Sequence, residues 1–322
     1  MDFEGPEKKV EIGLLPGSED LRRLPRDFWE ERVAEAGAVI LSELKSEEVD
    51  AYLLSESSLF VFPRRVVMIT CGRTTLVTAT ESMLERWRGE VAYLFYERKN
   101  EHFPEYQKTA FLEDARRLGR WLPADGWRFG APDTHRIQML ASSQPFEPDR
   151  RDRTLEILMH GIHPEAAAMF SGGGAEAPPA RQGAVRRLLD GFAVDEHFFE
   201  PTGYSLNALR GQDYLTIHVT PEAIASYVSF ETNLDFGRDP RAWVEKVQAV
   251  FEPRSLDVMT FAPFVVDAFE LDTHRVAGWT EASLPCGYNV AYRYLERASV
   301  GPEPAFRIPL DPPPSGSSEE SG

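Results

Sequence analysis

Residues 52–72, YLLSESSLFVFPRRVVMITCG, contain the clearest fold signal in the chain. Apolar and β-branched residues on either side of Pro63-Arg64 favour two strands joined by a tight turn. With a two-residue turn, counting back places Ser57 opposite Thr70, with Cys71 next along. Facing residues on paired strands lie about 5 Å apart. The sequence therefore predicts that a serine hydroxyl and a cysteine thiol are neighbours at the open end of this hairpin.

A second run, YSLNALRGQDYLTIHVT over residues 204–220, has the same form. Its turn is RGQD, and pairing Leu209 with Tyr214 sets Ser205 opposite His218. Opposed residues project onto one face of a sheet, so this hydroxyl and imidazole can address a single atom. Taken alone, such a pair is more often a structural hydrogen bond than catalytic machinery.

Composition limits the functional classes. The chain has 322 residues, 42% of them hydrophobic, and a net charge of -17, which is typical of a folded globular protein and unfavourable for binding a nucleic acid or an anionic lipid surface. The first residues, MDFEGPEKKVEI, lack a signal-peptide pattern, and no apolar run reaches the roughly 20 residues that span a bilayer. We therefore expect a cytoplasmic protein without a membrane segment.

Cysteine and histidine usage predicts neither a disulfide nor a metal. Cys71 and Cys286 are expected to be free thiols in a reducing compartment. His160 and His163 lie close in sequence but lack a third ligand at a recognisable spacing, so they are expected to be surface or helix-cap residues.

Periodicity predicts an α+β protein with antiparallel sheets. Helices are predicted over residues 28–40 with Asp27 as cap, 81–88, 110–121 and 242–251, and from Pro164 onwards. Besides the two hairpins, strands are predicted at 10–14, 51–54, 91–96, 137–141, 226–230, 258–269 and 288–294. Strands outnumber helices, which favours sheets with helices packed on their outer faces. Residues 171–180 are expected to form a mobile spacer, residues 311–322 a disordered tail, and no repeat of fixed period is visible.

Several longer motifs together resemble one family. In chain order they are FEG with Glu7-Lys8 and Glu11, LSESS, TCG, FYERKN from Phe95, TLEILM from Thr154, GYSLN from Gly203, TIHVTPE from Thr216 and SYVSFETN from Ser226. This series resembles the pyruvoyl-dependent S-adenosylmethionine decarboxylases in their long, eukaryotic single-chain form. The resemblance implies a four-layer α/β-β/α sandwich of two antiparallel sheets with helices outside, formed by residues 1–310.

The resemblance implies that the chain cuts itself between Glu56 and Ser57. The β chain would be residues 1–56, and the α chain would begin at residue 57 with a pyruvoyl group made from Ser57, which is the covalent cofactor. In this family the residue matching His218 removes the α-hydrogen of an ester intermediate, and the residue matching Ser205 binds the oxyanion. The pyruvoyl group accepts the substrate amine as a Schiff base, and the residue matching Cys71 protonates the product.

The resemblance also assigns substrate contacts. Phe3 and Phe199 match two phenylalanines that stack on adenine, and Glu222 matches a carboxylate that binds the ribose hydroxyls. Glu7 matches an acidic residue of the site, which we assign to both substrate binding and catalysis, and Glu56 is a further expected contact. The product, decarboxylated S-adenosylmethionine, would serve spermidine and spermine synthesis.

Animal relatives are activated by putrescine in a buried acidic cluster. The matching positions here are Glu11, Asp152, Thr154, Glu156 and Glu231, which we group with Lys8, Lys9 and Phe95. Lys9 stands where plant relatives place an arginine, Ile69 where many members carry a lysine, and Pro285 replaces an aromatic residue. Because Lys9 can take the place of the activator, we predict weak or no activation by putrescine.

Two alternatives remain open from the sequence. A pyruvoyl enzyme of this kind can act on ornithine or arginine, although those substrates need no adenine stacking. A non-catalytic regulatory paralogue is the other alternative, and it would be expected to lose the processing serine. The resemblance leaves open whether the processed chains form a monomer or a homodimer.

Overall fold

The computed structural model describes residues 5–99, 101–102, 104–133, 135–171, 179–222 and 225–297. Phe3, most of the predicted spacer and the predicted tail at 311–322 lie outside the described residues.

Strands dominate the chain. They are β1 Lys8–Leu14, β2 Ile40–Lys45, β3 Asp50–Leu54, β4 Ser57–Phe62, β5 Arg65–Thr70, β6 Val91–Arg98, β7 Ala124–Gly130, β8 Arg136–Ser142, β9 Thr154–His160, β10 Ala193–Phe198, β11 Tyr204–Arg210, β12 Asp213–Thr220, β13 Tyr227–Thr232, β14 Ser255–Ala262, β15 His274–Ser283 and β16 Asn289–Arg297. The α-helices are α1 Arg26–Ala36, α2 Leu76–Arg86, α3 Phe111–Leu118, α4 Pro164–Met169, α5 Pro179–Leu188 and α6 Arg241–Phe251.

The strands form two eight-stranded antiparallel sheets of the same topology. Sheet 1 has the order β2-β3-β4-β5-β1-β6-β8-β7, and sheet 2 has the order β10-β11-β12-β13-β9-β14-β16-β15. Adding eight to each strand number of sheet 1 gives sheet 2, so the fold repeats although no repeat is visible in the sequence. Equivalent segments are separated by connections of different length, which hides a fixed period.

The two sheets pack face to face with helices outside, as the resemblance implies. One apolar cluster joins the outer face of sheet 1 to α1, α2 and α3, and another joins sheet 2 to α4 and α6. A third, which includes Phe95, Met139, Met259 and Phe261, contains residues of both sheets and lies between them. Along β1, Val10 and Ile12 belong to the outer core, so the alternating Lys9 and Glu11 face the layer between the sheets.

Several predicted element boundaries are wrong. Helix α1 ends at Ala36 because Gly37, with φ 88°, caps it in the left-handed conformation, and Ile40 begins a strand instead of ending the helix. Helix α2 starts at Leu76, five residues before its predicted start. The predicted strand 258–269 ends at Ala262, and Pro179 and Ala180 of the predicted spacer lie in α5.

Other predicted elements agree with the structure. Helix α4 begins at Pro164, and the His163 ring caps it by accepting a hydrogen bond from the Glu165 N–H at 3.3 Å. Helix α6 begins at Arg241, whose N–H donates to the Asp239 carboxylate. Cys71 and Cys286 are both free thiols. Within the described residues, no helix is both long and apolar enough to cross a membrane.

Candidate active site

The β4–β5 hairpin has the predicted register and places Ser57 under strain. Phe62 pairs with Arg65 and Ser57 with Thr70. Ser57 has φ 138°, a conformation that side-chain-bearing residues rarely adopt. Its hydroxyl is buried, and it has no hydrogen-bond partner among the described residues. The predicted nucleophile is therefore held without the hydrogen bond that a structural serine would normally make.

Cys71 is in direct contact with the predicted site of cleavage. The Glu56 carbonyl oxygen accepts a hydrogen bond from the Cys71 N–H at 2.9 Å and another from the Cys71 thiol, with Sγ at 3.2 Å. Two donors on one carbonyl oxygen polarise the carbonyl group and stabilise negative charge that develops on it. Burial, reinforced by the charges of Glu56 and Glu7, raises the pKa of Cys71 well above its ordinary value, so the thiol keeps its proton.

The second hairpin brings Ser205 and His218 together as predicted. The two residues are directly paired, and His218 Nδ1 lies 2.9 Å from Ser205 Oγ. The other ring nitrogen, Nε2, lies 2.9 Å from Thr216 Oγ1 and 3.3 Å from Ser58 Oγ. Ser58 follows the predicted cleavage site, so this hydroxyl contact joins the two hairpins across the layer between the sheets.

The imidazole of His218 is a neutral base. Burial lowers its pKa to about 3. Thr216 donates its hydroxyl hydrogen to Leu206 O at 3.0 Å or to Asn207 Oδ1 at 3.1 Å, so it accepts a hydrogen bond from the imidazole Nε2–H. This arrangement leaves Nδ1 as the acceptor that faces Ser205. A neutral ring with a free lone pair is the form that can remove a proton.

Glu7 lies at the same end of the sheets. Its carboxyl group accepts a hydrogen bond from Ser229 Oγ at 2.5 Å, and Ser229 is paired with His218 across β12 and β13. Burial raises the pKa of Glu7 to about 8, and neither the Ser229 hydroxyl nor the more distant Lys99 offsets the burial. Glu7 is therefore mostly protonated at neutral pH.

Lys8 belongs to this end and not with the acids that we grouped it with from the sequence. Its Nζ donates to Gly72 O at 3.1 Å, directly after Cys71. Burial raises the pKa of Glu56, and the charge of Lys8 opposes that shift. Lys8 is thus a cation whose charge acts on Glu56, the residue before the predicted cleavage site.

Two predicted substrate contacts also lie at this end of sheet 2. Phe199 directly follows β10, and its N–H donates to Gly203 O at 2.9 Å just before β11. Glu222 lies two residues beyond the end of β12 and is half-buried. Phe3, the other predicted stacking residue, is outside the described residues.

A second polar region, the charged cluster, lies between the sheets around Lys9. Lys9 Nζ is 2.8 Å from Glu156 Oε1, 2.9 Å from Glu231 Oε2 and 3.8 Å from Glu11 Oε2. Lys9 is almost completely buried. Burial by itself would lower its pKa, but the carboxylates outweigh burial and raise the pKa well above its ordinary value.

The charged cluster contains two further cations that the sequence analysis does not assign. Lys99 Nζ lies 2.8 Å from Glu97 Oε2 and also contacts Glu156, which is thereby paired with two lysines. Arg65 lies 3.1 Å from Asp152 Oδ1 and 3.6 Å from Glu11 Oε1.

Neighbouring hydroxyls and rings complete the cluster. Tyrosine hydroxyls donate to three of its acids: Tyr214 to Glu231, Tyr93 to Glu11 and Tyr288 to Asp152. Thr154 is buried and paired with Phe261, whose ring lies 5.3 Å from Phe95. Ile69 pairs with Lys9 on β1 and is buried among apolar side chains.

The acids of the charged cluster differ in ionisation. Burial would raise the pKa of Glu156, but Lys9 and Lys99 together lower it to about 2. Burial and the charge of Glu156 raise the pKa of Glu97 to about 7. Burial also raises the pKa of Asp152 and of Glu231, against the opposing charges of Arg65 and Lys9 respectively.

The sequence contains a pattern that places Glu97 and Lys99 in the charged cluster, although neither is among the predicted site residues. In FYERKN, the alternate residues Phe95 and Glu97 share one face of β6, and the same alternation continued one residue past the end of the strand brings Lys99 to the layer that contains Lys9. The hydroxyls of Ser58, Thr216 and Ser229 had no such signal, because serine and threonine are common on strands and nothing in one chain marks those that meet a histidine.

Known proteins share this architecture over most of its length. A family model described as adenosylmethionine decarboxylase matches residues 1–288. The chain belongs to the adenosylmethionine decarboxylase family.

Individual relatives within the family support this assignment. The S-adenosylmethionine decarboxylase proenzyme of Xenopus laevis is 35% identical over 289 residues, which cover 80% of this chain and 83% of the relative. The proenzyme of Drosophila melanogaster is 31% identical over 327 residues, covering 91% and 94%. A solved structure, the Trypanosoma brucei AdoMetDC-delta26 monomer, superposes with a TM-score of 0.57 at 26% identity, covering 74% of this chain and 99% of that one.

Proposed function

We propose that this chain cuts itself between Glu56 and Ser57 and, with the pyruvoyl group formed from Ser57, decarboxylates S-adenosylmethionine. Family membership and the proenzyme relatives support the activity. One observation carries the site: Ser57 is strained, its hydroxyl is buried and without a partner among the described residues, and the carbonyl before it accepts two hydrogen bonds from Cys71.

Each neighbouring group has a role in the proposed cleavage. Ser57 Oγ attacks the Glu56 carbonyl carbon, and the Glu56–Ser57 amide becomes an ester with a free amine on Ser57. Negative charge on the former carbonyl oxygen is stabilised by the Cys71 donors, and by Ser205 once its hydroxyl turns from His218 Nδ1 towards this oxygen, which also frees Nδ1 to act as the base. His218 removes the Ser57 α-hydrogen, the ester oxygen leaves with Glu56 as a carboxylate, and water replaces the nitrogen, which departs as ammonia.

Strain at Ser57 favours this chemistry. A serine at φ 138° is less stable than one in an extended strand by an energy of about 1–3 kcal/mol. Cleavage removes the residue's backbone N–H and its tetrahedral Cα, so the strain ends with the reaction. The residues around Ser57 also suit a pyruvoyl group, which supplies an electron sink for decarboxylation. Cys71 keeps its proton and lies beside this position, as a proton donor to the product must.

The substrate contacts follow from the same end of the sheets. Phe199 offers an aromatic face for adenine, together with Phe3, and Glu222 offers a carboxylate for the ribose hydroxyls. Glu7 is the acid that responds to the substrate's sulfonium charge. Because Glu7 holds a proton in the free protein, a cation at this site favours its ionised form and releases that proton.

The charged cluster supports our prediction about putrescine. Lys9, Lys99 and Arg65 occupy the acidic region, and Lys9 alone contacts three carboxylates. Lys99 also supplies a cation to this region, where Ile69 stands in place of the lysine that the family resemblance leads us to expect. A dication would therefore meet carboxylates that already have partners, and we propose that turnover needs no putrescine.

Mass spectrometry of the purified protein tests the cleavage. We expect two chains, one ending at Glu56 and one beginning with a pyruvoyl group, and one uncut chain for Ser57→Ala. Ser55→Ala is the matched control and should be cut, because within the described part of the chain the Ser55 hydroxyl accepts a hydrogen bond from the exposed Val39 N–H and has no other partner. Uncut wild-type protein would refute the proposal.

Release of carbon dioxide tests the substrate. We expect release from S-adenosylmethionine and not from ornithine or arginine, and we expect borohydride treatment to abolish it by reducing the keto group. Adding millimolar putrescine should change the rate by less than about twofold, because the internal cations already neutralise the acids. A large stimulation would contradict the role that we give to Lys9.

A further inference from the structure

Three metal-ligand side chains from distant parts of the sequence meet beside the active site. His160 is the last residue of β9, Asp257 lies on the neighbouring β14, and His135 directly precedes β8 of the other sheet. The group therefore joins sheet 1 to sheet 2. None of the roles proposed above uses any of these three residues.

The distances fit one metal ion. Asp257 Oδ2 lies 3.0 Å from His135 Nδ1 and 3.1 Å from His160 Nε2, and the three atoms all lie within 4.8 Å of one another. Ligand atoms that are about 2.0–2.1 Å from a tetrahedral zinc ion lie about 3.3 Å apart. An ion can therefore enter between these atoms after small shifts of the side chains.

The surroundings hold two of the three side chains in place. The Tyr292 hydroxyl donates to Asp257 Oδ1 at 2.6 Å, which fixes the carboxylate and leaves Oδ2 for the two imidazoles. The His135 ring stacks on Tyr294, with centroids 4.3 Å apart and planes 16° apart. Asp257 is 3% exposed and His160 12% exposed. Outer contacts that orient the ligands are typical of metal sites in proteins.

A tyrosine with a buried hydroxyl packs against this group. Tyr227 is paired with His160 across β13 and β9, and the two rings are 5.3 Å apart. The Tyr227 hydroxyl is buried and has no hydrogen-bond partner among the described residues. Buried hydroxyls are normally hydrogen-bonded, so a water or an ion is expected beside it.

We propose that His135, His160 and Asp257 bind a zinc ion, with water in the fourth position. Two imidazoles and one carboxylate suit zinc and related transition metals better than magnesium or calcium, which prefer oxygen ligands. The ion fastens the segment before β8 to sheet 2. It lies close to the substrate end, since Ser229, two residues along β13 from Tyr227, binds Glu7.

Metal titration of tag-free protein tests this site. After treatment with a chelator, the protein is titrated with cobalt(II), whose visible absorption reports tetrahedral coordination, and then with zinc in competition. We expect about one ion per chain, as a site with three protein ligands binds. Zinc should also raise the melting temperature, because it binds the folded chain.

Three variants make the test specific. Asp257→Asn and His135→Gln should each weaken zinc binding by more than about 100-fold, since loss of an outer contact alone costs about 10–100-fold. His163→Gln is the matched control and should bind zinc as the wild type does, because the His163 ring lies at the start of α4, where it caps the helix, and is not one of the three proposed ligands. His135 precedes β8 and is partly exposed, so its variant keeps the test valid if Asp257→Asn fails to fold.

Two results would overturn the proposal. One is wild-type protein that binds no zinc in competition with cobalt and gives no tetrahedral cobalt spectrum. The other is equal affinity in the wild type and in His135→Gln. Either result would leave the three residues as a hydrogen-bonded group in which Asp257 accepts from both imidazoles.

Discussion

Glu7 and Glu156 are both buried between the two sheets, yet they ionise in opposite ways. Glu7 is 4% exposed and Glu156 is 1% exposed. The pKa of Glu7 rises to about 8, whereas that of Glu156 falls to about 2. Glu7 accepts a hydrogen bond from Ser229, while Glu156 contacts Lys9 and Lys99. Burial alone therefore does not decide the charge of a carboxyl group in this layer; Glu156 differs from Glu7 in being paired with two lysines, whereas Glu231 and Glu97, which each contact one lysine, keep raised pKa values.

This difference extends to the two regions as wholes. At the end that contains the candidate active site, His218, Cys71 and Glu7 are neutral at pH 7, the form in which the first can take up a proton and the other two can give one away. In the charged cluster, Lys9, Lys99 and Arg65 remain charged and hold their acids in fixed pairs. The candidate active site thus holds neutral groups that can transfer protons, whereas the charged cluster holds three permanently charged cations next to its acids.

The largest expected effect is on the rate of chain cleavage, when His218 at the candidate active site is replaced. His218→Ala should slow chain cleavage by about 10²–10⁴-fold, the usual contribution of a positioned general base. The measurement is the cut fraction against time on denaturing gels after synthesis of fresh chain. His163→Ala serves as the control, because that ring lies at the start of α4. Equal cleavage rates in the two variants would show that His218 takes no part in the cleavage reaction.

Substitutions in the charged cluster should change the stability of the folded chain and not the cleavage reaction. In a Ser57→Ala background, which keeps one chain, Lys9→Met should lower the free energy of unfolding by about 3–5 kcal/mol, because it leaves buried carboxylates without their cation. Urea unfolding at pH 7 measures this. Lys45→Met removes an exposed pair with Glu43 and should cost less than about 1 kcal/mol. Similar losses in both variants would mean that the buried network contributes no more than a surface pair.

Stability against pH compares Glu7 and Glu156 directly. The folded chain holds the Glu7 proton up to about pH 8, whereas an unfolded carboxyl loses it near 4.5. Its stabilising contribution is therefore complete below pH 4.5 and is lost as the pH rises to about 8. Between pH 5 and 8 the wild type, in the Ser57→Ala background, should lose on the order of a few kcal/mol relative to the same chain carrying Glu7→Gln.

Glu156 should give the opposite pattern. Its pKa of about 2 lies below the ordinary 4.5, so its contribution is present above pH 4.5 and is lost as the pH falls towards 2. The free-energy advantage of the wild type over Glu156→Gln should therefore shrink as the pH falls from 5 towards 2. If each difference curve is flat over its own pH range, the contrast between the two carboxyl groups is wrong.

The smallest expected effect is the change in stability when the backbone strain at Ser57 is relieved. Ser57→Gly should be about 1 kcal/mol more stable to urea than Ser57→Ala, because glycine adopts φ 138° without strain, less its entropy cost in a strand. Neither variant can be cut, so the two are directly comparable. At Ser58 the order should reverse, with Ser58→Gly about 0.5–1 kcal/mol less stable than Ser58→Ala. Equal stabilities of the two Ser57 variants would show that this residue carries no strain.

Strand pairing was predictable where two conditions held together. The β4–β5 and β11–β12 hairpins have apolar strands and a recognisable turn, and both registers are confirmed. The strands at the sheet edges have neither an apolar sequence nor a recognisable turn to a neighbouring strand. Strands β2, β7, β10 and β15 form the four edges and were all missed. Edge strands expose polar residues to solvent, as the largely exposed β15 does, so they lack the apolar signal of a central strand.

Contacts between the sheets were not predictable from one chain. Lys9 and Glu156 are separated by 147 residues, and Asp257 and His135 by 122, yet each pair meets in the middle layer. Periodicity gives the face of a strand on which a residue lies, but it does not say which strand of the other sheet lies opposite. The family resemblance named Glu11, Glu156 and Glu231 together, but Lys99 and Arg65 became partners of these acids only in the folded chain.

The sequence by itself determined the family, the two hairpin registers and the order of residues along each strand, because these depend on local pairing and on motifs that are continuous in the chain. The tertiary structure decided which buried acids are charged, since ionisation depends on cations supplied by other strands, and it alone brought His135, His160 and Asp257 together. Packing one sheet on the other excludes water and fixes these distances, and no local feature of the sequence contains that information.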